Sequence, residues 1–582
     1  MGEAETSTER MKLLSQKQAN IRNIATSAHI HHGKCVAPHT RLLLTDGSVI
    51  SAEQLYERAS HVGKKARDNA DETIYDISEQ NIEVFSLNKQ TGSIEKKNIS
   101  HAWKLAGGEV IAATLRNGAK ISTTPEHKYI VLHDMDFVEK EASELKLGDR
   151  VVCARKLDYK HTANLQKEIL TRLQNTPCYV TLANEFGKDL KDKILEHGTK
   201  VMCRKLGIAI ATKSFYHGAW QNRYALSHLL KLAPVFDISL QEVYSNIVTL
   251  SFRPATKSTK EMRLPRAFED LFYLTGLFFG DGSAHKFVVG KQELKDKVLE
   301  ICQSLGIQAR YVQNKQRTPE IHTNECLHYF LNAIFGYPLK NKSHTIRIND
   351  LLFTSPSEMI AQFVKGYFDT DGCVEQSRRA ISVSSVSRGM LKDLQLLLLR
   401  FGCQGIVQDD TLYISGLSAK NFLDKIGFGL SGKAQRAKEL VSRVQGSNVV
   451  DVIPLSNEKL VAVRKVPQAT IDHHYYKYET GILTPTVSTV LELKQQFADH
   501  QLSTHWFDKL TTGDLAFIEV IALARENEPI VYDFSVPDHR NFIAEGMVIH
   551  NTAFTDNLLA AAGLMSEKNA GDLDTGMMTW QH

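Results

Sequence analysis

The chain has 582 residues, 42% of them apolar and 23% charged, an ordinary soluble globular composition long enough for three or four domains that each bury a core. A net charge of +4 permits nucleic-acid binding without arguing for it; with no signal peptide and no apolar run long enough to span a bilayer, the expected setting is cytoplasmic and reduced, with no membrane partner. The eight cysteines, at positions 35, 153, 178, 203, 302, 326, 373 and 403, include no C-x-x-C pair, so neither a zinc ribbon nor a thioredoxin-like site is supported, and a free thiol can persist as a nucleophile.

Residues 1–20 are polar with a short helical pattern. Residues 21–34 then supply a strand and Ala28-His-Ile-His-His-Gly-Lys34, a phosphate-binding loop that stops one residue early. Such a loop needs Ser or Thr directly after its Lys, to set a hydroxyl on Mg²⁺. Here Cys35 follows instead. From Cys35 an apolar strand ends in the Asp46-Gly47 turn, and short strands are predicted at Val84–Leu87, Val110–Thr114 and Asp149–Cys153, a pattern of an all-β fold.

The pattern turns helical from about Leu157 to about Val449. Within it, Cys203 to His217 and Leu229 to Leu240 predict a helix-turn-helix with Gly207 at the turn, a recognition helix from Thr212, and Lys213, His217 and Arg223 as DNA contacts; a helical bundle linking domains fits equally well. Leu274 to Gly282 and Val364 to Gly372 are apolar helices that each end in Asp-Gly. Each is followed by a second helix, Leu294–Ile307 and Leu391–Gly402, that closes on an apolar-Gly pair, so the two form an internal repeat. Small Gly276 and Gly366 would let the first helices pack closely and bring Asp281 and Asp371 together. Carboxylates held there can share Mg²⁺ at a phosphodiester.

Ile453-Pro-Leu455 restarts a polar-and-strand segment with a helical insertion near 490–510. Phe517–Leu523, Val531–Val536 and Met547–His550 are three strand-like runs. β segments thus flank the helical block, which implies one β domain split by an insertion, with strands at its two ends that must pair for the ends to meet. After Asn551, Thr552 opens an apolar-rich helical run to Gly563.

Joining Lys34 to Thr552 completes the loop and its helix. The joined sequence resembles the start of the GTPase domain of translational GTPases, most closely of the archaeal or eukaryotic elongation factor 2 kind, and everything between resembles an intein. For the host, the resemblance implies that GTP and Mg²⁺ are held after ligation by Ala28, His29, Ile30, His31, His32, Gly33, Lys34 and Thr552, with the ribosome as partner. His31 stands where the family usually has Asp, Ala553 also departs, and no Asn-Lys-x-Asp segment follows, so a whole GTPase domain is not expected from this chain.

For the insertion, the resemblance assigns a role to each member of a splicing constellation. Cys35 attacks the preceding carbonyl to form a thioester; Thr124-Pro-Glu-His127 matches a T-x-x-H motif in which Thr124 orients the scissile amide and His127 distorts and protonates it. Thr552 takes over the acyl group, and Asn551 cyclises with His550 polarising the peptide, while Asp533 tunes the first and third steps. Splicing needs no cofactor. The His usually found seven residues after that Asp is Arg540 here. His539 lies one place early, where a regular strand would point it to the opposite face, so either His539 at a bulge or an oxyanion-stabilising Arg540 could help Asn551. A lone Cys is most often a small buried hydrophobe and a lone T-x-x-H carries little information. The conjunction decides: Cys and Asn bound an insertion whose removal repairs a phosphate loop.

The two Asp-Gly helices resemble paired LAGLIDADG homing-endonuclease motifs. That implies a pseudo-twofold monomer that lays its sheets along the major groove of double-stranded DNA at the intein-free allele and cuts it with Mg²⁺ on Asp281 and Asp371, with Lys342 as an accessory lysine. Motif one has Phe279 where motif two has Asp369.

The expected fold is therefore multidomain. Pieces of a P-loop α/β GTPase domain occupy 1–34 and 552–582, an all-β Hint splicing domain 35–156 and 450–551, a helical linker or helix-turn-helix region 157–260, and an α+β LAGLIDADG endonuclease 261–449. A working GTPase with a tolerated insertion fails on Cys35, and an interaction module has no positive feature. A splicing-impaired endonuclease with a vestigial Hint domain is the alternative, on the strength of Arg540.

Overall fold

The computed structural model describes residues 34–70, 72–160, 164–208, 215, 218, 220–253, 260–313, 318–442, 450–455, 475–499 and 505–551. These form two compact units. One comprises the residues up to Leu157, apart from 46–48, together with those from Val452; the other runs from Asp158 to Asp451 and includes 46–48. None of the described helices is long and apolar enough to cross a membrane.

The first unit is built on a twelve-stranded sheet whose spine is two long strands, His101–Leu115 and Leu515–Ser535. They pair antiparallel from His101↔Ser535 to Leu115↔Val520, with one register shift between Val520 and Ala522. The second of these was expected as two runs, at Phe517–Leu523 and Val531–Val536, and is one continuous strand. Its middle, Arg525-Glu-Asn-Glu-Pro529, reads as a break because it is polar and contains proline. It stays extended because the ribbon is solvated there, Arg525 meets Glu109 at 2.8 Å, and Gly107 makes room: a Cβ at Gly107 would lie 2.0 Å from the Glu528 carbonyl oxygen.

Both ends of the insertion return to this sheet, and as expected the strands near its two ends pair, Arg41–Leu43 lying antiparallel to Asn541–Ala544. Val36 exchanges backbone hydrogen bonds with Tyr532 at 2.8 and 2.9 Å, and Ala37 N–H donates to the Ser122 carbonyl at 2.9 Å. At the other end, Asn541–Ala544 and Met547–His550 form a hairpin through Glu545-Gly546, both at positive φ, as a tight two-residue hairpin turn requires. Ile549 pairs with Tyr129, and Leu42 with Ala544. The segment from Lys120 to His133 is thus the intermediary between the first residue and the last.

In the second unit the helical block is interleaved with strands throughout. Its first part, expected to be a helical linker or helix-turn-helix, carries a four-stranded antiparallel sheet in the order Arg223–Ala225, Tyr179–Leu182, Ile247–Ser251, Met262–Arg263. Gly207 does sit in a turn, at φ +58, after the helix Thr199–Lys205, but Thr212, Lys213 and His217 lie outside the described residues. Arg223 is on a strand. Its guanidinium is 2.7 Å from Glu261 and 3.1 Å from Thr181 Oγ1, a clasp across the sheet rather than a free DNA contact.

The remainder repeats one plan twice. The first copy runs helix Phe268–Asp281, strands Gly282–Ser283 and Lys286–Val288, helix Gln292–Ser304, strands Arg310–Val312 and Glu320–His322, and helix Glu325–Phe335. The second runs helix Ser357–Thr370, strands Gly372–Glu375 and Ala380–Ser384, helix Arg388–Leu398, strands Gly405–Gln408 and Thr411–Ser415, and helix Gly416–Lys425. Each sheet has the same order, first, second, fourth, third. Equal topology in consecutive segments makes this part of the unit an internal repeat.

Candidate functional site

In the first unit, Thr124 grips Cys35 from both sides. The Cys35 N–H donates to Thr124 Oγ1 at 2.9 Å, and the Thr124 N–H donates to the Cys35 carbonyl at 3.0 Å. Thr124-Pro-Glu-His127 is a β-turn closed by a 3.0 Å bond from the His127 N–H to the Thr124 carbonyl, with proline in the second position where its fixed φ suits the turn. The four-residue spacing therefore returns His127 to the same end of the strand. Its imidazole is fully buried, with neither ring nitrogen in a hydrogen bond of ordinary geometry. Burial pushes it down to about 3, the positive fields of His550 and Lys34 add to this, and the Lys34 backbone opposes it. His127 is consequently a neutral ring at the Lys34–Cys35 bond, able to offer one N–H.

The Cys35 thiol is buried and held well above its usual range, first by burial and then by the carboxylates of Asp533, Glu126 and Glu72. No thiolate is stored here; the proton must leave as the sulfur attacks. Asp533, also buried, follows Tyr532, the residue bonded to Val36, so the long strand delivers its carboxylate to the field of the thiol.

At the other end Asn551 is fully buried, and its N–H donates to the Arg540 carbonyl at 3.0 Å. Arg540 and His539 lie in the turn before the strand Asn541–Ala544, with Arg540 at φ +53, so the expected alternation along a regular strand does not apply. His539 Nε2 is 2.9 Å from Glu95. Arg540 meets Asn551 through its carbonyl. The group beside His550 is instead Glu139, whose Oε1 is 3.5 Å from His550 Nε2. Lys89 and Lys128 hold that carboxylate at 2.5 and 3.4 Å. Burial drives the His550 ring below its usual value against the pull of Glu139, while Lys34, Lys89 and Lys128 reinforce the depression. Glu139, Lys89 and Lys128 were not legible in advance, because Lys128 meets Glu139 only through the pairing of Lys128–His133 with Asp136–Glu141, and Lys89 comes from the separate hairpin that begins with Glu83–Asn88.

Of the loop residues, Lys34 is described; Ala28, His29, Ile30, His31, His32, Gly33 and Thr552 lie outside the described residues.

In the second unit, the two Asp-Gly helices touch backbone to backbone. A Cβ on Gly276 would lie 2.0 Å from the Phe363 carbonyl oxygen, and one on Gly366 2.2 Å from that of Tyr273. Asp281 and Asp371 end these helices within each other's field. Burial, joined by the charge of Asp281 and opposed by Lys342 and Lys433, pushes Asp371 up to about 6; burial also raises Asp281. Each helix end is matched by a lysine, Lys342 half-buried and Lys433 buried. Lys342 donates to the Phe278 carbonyl at 3.4 Å and to that of Gly280. Lys433, which sequence reasoning missed, donates to the carbonyls of Phe368, Asp369 and Gly372 at 2.9, 2.8 and 2.5 Å, and burial pushes it down to about 8. Asp369 faces elsewhere: it accepts from Tyr273 Oη at 2.8 Å and from the Gly429 N–H at 2.9 Å. Phe279, its counterpart, packs on Phe363. No group of three or more His, Cys, Asp or Glu among the described residues forms a metal cage. Two converging carboxylates, each with a raised pKa, are nonetheless the donor set that Mg²⁺ takes when substrate phosphates complete its shell.

A thiol clamped at the head of an insertion and an amide buried at its tail are the parts of a self-processing protein. Residues 65–551 match the family described as the intein splicing domain, and the chain belongs to that family. It is 36% identical to an elongation factor 2 of Methanopyrus kandleri over 98% of this chain and 46% of that protein, and 25% identical to a probable translation initiation factor of Methanocaldococcus jannaschii over 93% and 50%. The chain thus spans about half the length of these relatives. Among solved structures, the crystal structure of the PabCDC21-1 intein is 26% identical over 21% of this chain and 73% of that one, with a TM-score of 0.19.

Proposed function

We propose that the chain is a precursor that excises Cys35–Asn551 and joins Lys34 to Thr552. The observation that carries this reading is the two-sided grip of Thr124 on Cys35 in the same domain that buries Asn551. Cys35 Sγ attacks the Lys34 carbonyl carbon as Asp533 takes the thiol proton, the Lys34–Cys35 C–N bond breaks, and Asp533 passes that proton to the freed amine. His127 holds an N–H on the scissile peptide throughout. Thr552 Oγ then attacks the thioester and expels the Cys35 thiol. Asn551 Nδ2 attacks its own carbonyl, breaking the bond to Thr552, and the ester shifts from oxygen to nitrogen. Expression followed by mass measurement should give an excised species and a ligated one, both lost in Cys35→Ala/Asn551→Ala. An intact precursor after long incubation would sink the proposal. Thr552→Ala should block ligation and Thr552→Ser preserve it.

The host reading is an elongation factor 2 precursor, supported by the 36% identity across nearly the whole chain and by the loop that ligation repairs. Within a whole GTPase domain of this kind, the repaired loop would bind GTP and Mg²⁺, and that host would serve translocation on the ribosome.

For the second unit the reading is a site-specific DNA endonuclease, supported by the doubled helix-and-sheet plan and the paired carboxylates. Asp281 and Asp371 would hold Mg²⁺, which when bound polarises the scissile phosphate. Lys342 and Lys433 lie at the two helix ends, where they offset the carboxylates and can order water for the displacement. Asp281→Asn or Asp371→Asn should end Mg²⁺-dependent cutting of DNA carrying the uninterrupted site while splicing continues; loss of both activities together would argue against separate sites.

A further inference from the structure

Glu139 sits on the strand Asp136–Glu141, an edge hairpin that no part of the splicing assignment uses. Its carboxylate nevertheless reaches His550, the residue before the cyclising asparagine, at 3.5 Å, and two ammonium groups, Lys128 on the paired strand and Lys89 in the turn after Glu83–Asn88, fix it in place. Glu139 contacts Nε2 of the imidazole. Nδ1 is buried without a hydrogen-bond partner. The contact therefore sorts the two ring nitrogens: an Nε2–H directed at the carboxylate leaves Nδ1 with its lone pair.

We propose that Glu139 is a positioning residue for the C-terminal cleavage, fixing the His550 tautomer through Nε2 so that Nδ1 acts on the peptide bond after Asn551. This rests on the reading of His550 as the helper of Asn551. As the ring closes, the Asn551 Nδ2–C bond forms and Nδ2 loses a proton to Nδ1. The bond to the next residue then breaks, and Nδ1 hands that proton to the departing nitrogen. Between these events the ring is a cation in a buried setting, and the Glu139 carboxylate is the counter-charge that lowers its cost. The arrangement is that of a carboxylate behind a catalytic histidine. Lys89 and Lys128 orient the carboxylate but also oppose the cation, so the site is balanced against protonation in the resting state.

The groups that face His550 are Glu139, Lys89 and Lys128, together with Lys34 and His127 from the N-terminal junction. Their signs make a test. A neutral His550 is needed to accept the proton, so cleavage is present above its pKa and is lost as the pH falls through it. Removing the Glu139 charge should move that acid limb to lower pH, and removing Lys89 should move it to higher pH.

The experiment uses the full chain carrying Cys35→Ala, which leaves only cleavage after Asn551, with release of the 552–582 segment followed by mass against pH. Glu139→Gln should slow cleavage at neutral pH by at least about tenfold, the low end of what orienting a catalytic histidine is worth, and shift the limb down; Glu139→Asp should recover part of the rate. Lys89→Met should shift the limb up. A Glu139→Gln rate within about twofold of the parent, or a uniform loss with an unmoved limb, overturns the proposal. An unchanged melting temperature for Glu139→Gln excludes unfolding as the cause of a loss. If His550→Ala cleaves as fast as the parent, the assignment of His550 itself fails; if it abolishes cleavage while Glu139→Gln does not, only the role of Glu139 fails.

Discussion

Arg41 and Glu545 are bound to each other by side chain and backbone at once: Arg41 Nη2 donates to Glu545 Oε2 at 2.8 Å, the Arg41 N–H to Glu545 Oε1 at 2.9 Å, and the Glu545 N–H to the Arg41 carbonyl at 2.9 Å. Six residues after Cys35 and six before Asn551, the pair ties the two ends of the insertion. Both side chains are largely buried, so removing one takes a close counter-charge from the other.

Glu545→Gln should therefore destabilise the uncleavable precursor Cys35→Ala/Asn551→Ala by about 1–3 kcal/mol, read by urea unfolding. An unchanged midpoint would show that the pair contributes nothing.

The grip on Cys35 predicts a specific dependence on the Thr124 hydroxyl. Thr124→Val keeps the shape and removes the acceptor, and thiol-induced cleavage at Cys35 should slow about tenfold to a hundredfold, as when a reacting amide loses its positioning partner. Thr124→Ser should retain most of the rate. Equal rates for valine and threonine would refute the positioning role.

Asp371 gives a pH prediction with a definite sign. Its value in the folded protein, about 6, lies above that of an unfolded aspartate, so the folded state binds the extra proton between about pH 4 and 6. Stability of the metal-free protein should fall as pH rises through that window, and the penalty is complete above it. Asp371→Asn should then stabilise by about 1–3 kcal/mol at pH 7, and by nothing below about pH 4, while ending DNA cutting. A loss of stability at neutral pH would contradict this.

At the seam between the paired helices there is no room for a methyl group. Gly276→Ala or Gly366→Ala should cost about 1–3 kcal/mol or more, lower the unfolding midpoint of the second unit, and reduce nuclease activity, with splicing intact. Wild-type stability in both variants would mean the helices sit farther apart.

The sequence marks positions most plainly where chemistry is concentrated at a boundary. Cys35 and Asn551 announce themselves because they bracket an interruption, and the Thr124 turn because a proline fixes it. Gly276 and Gly366 stand out as small residues in apolar helices. Reading failed where a contact depends on pairing between distant segments. Glu139 reaches His550 only through strand register, and Lys433 lies on the helix Ser431–Ser442, after the second copy's last helix and outside any motif. The sheet around Tyr179–Leu182 was hidden by short amphipathic helices on either side, although its β-branched residues were a usable signal. The polar middle of Leu515–Ser535 concealed one strand as two, since exposed pairing carries no apolar alternation.

The glycine seam has a further property. Gly276 meets the carbonyl of Phe363, three residues before Gly366, and Gly366 meets the carbonyl of Tyr273, three residues before Gly276. Each half thus presents to the other the patch it receives, the relation that defines a self-complementary interface between identical subunits. The second unit carries a dimer contact folded into one polypeptide, and the freedom this confers is visible one step away. A true homodimer must place the same residue on both sides of its axis, whereas this chain sets Phe279 against Phe363 in one half and turns Asp369 to Tyr273 and Gly429 in the other.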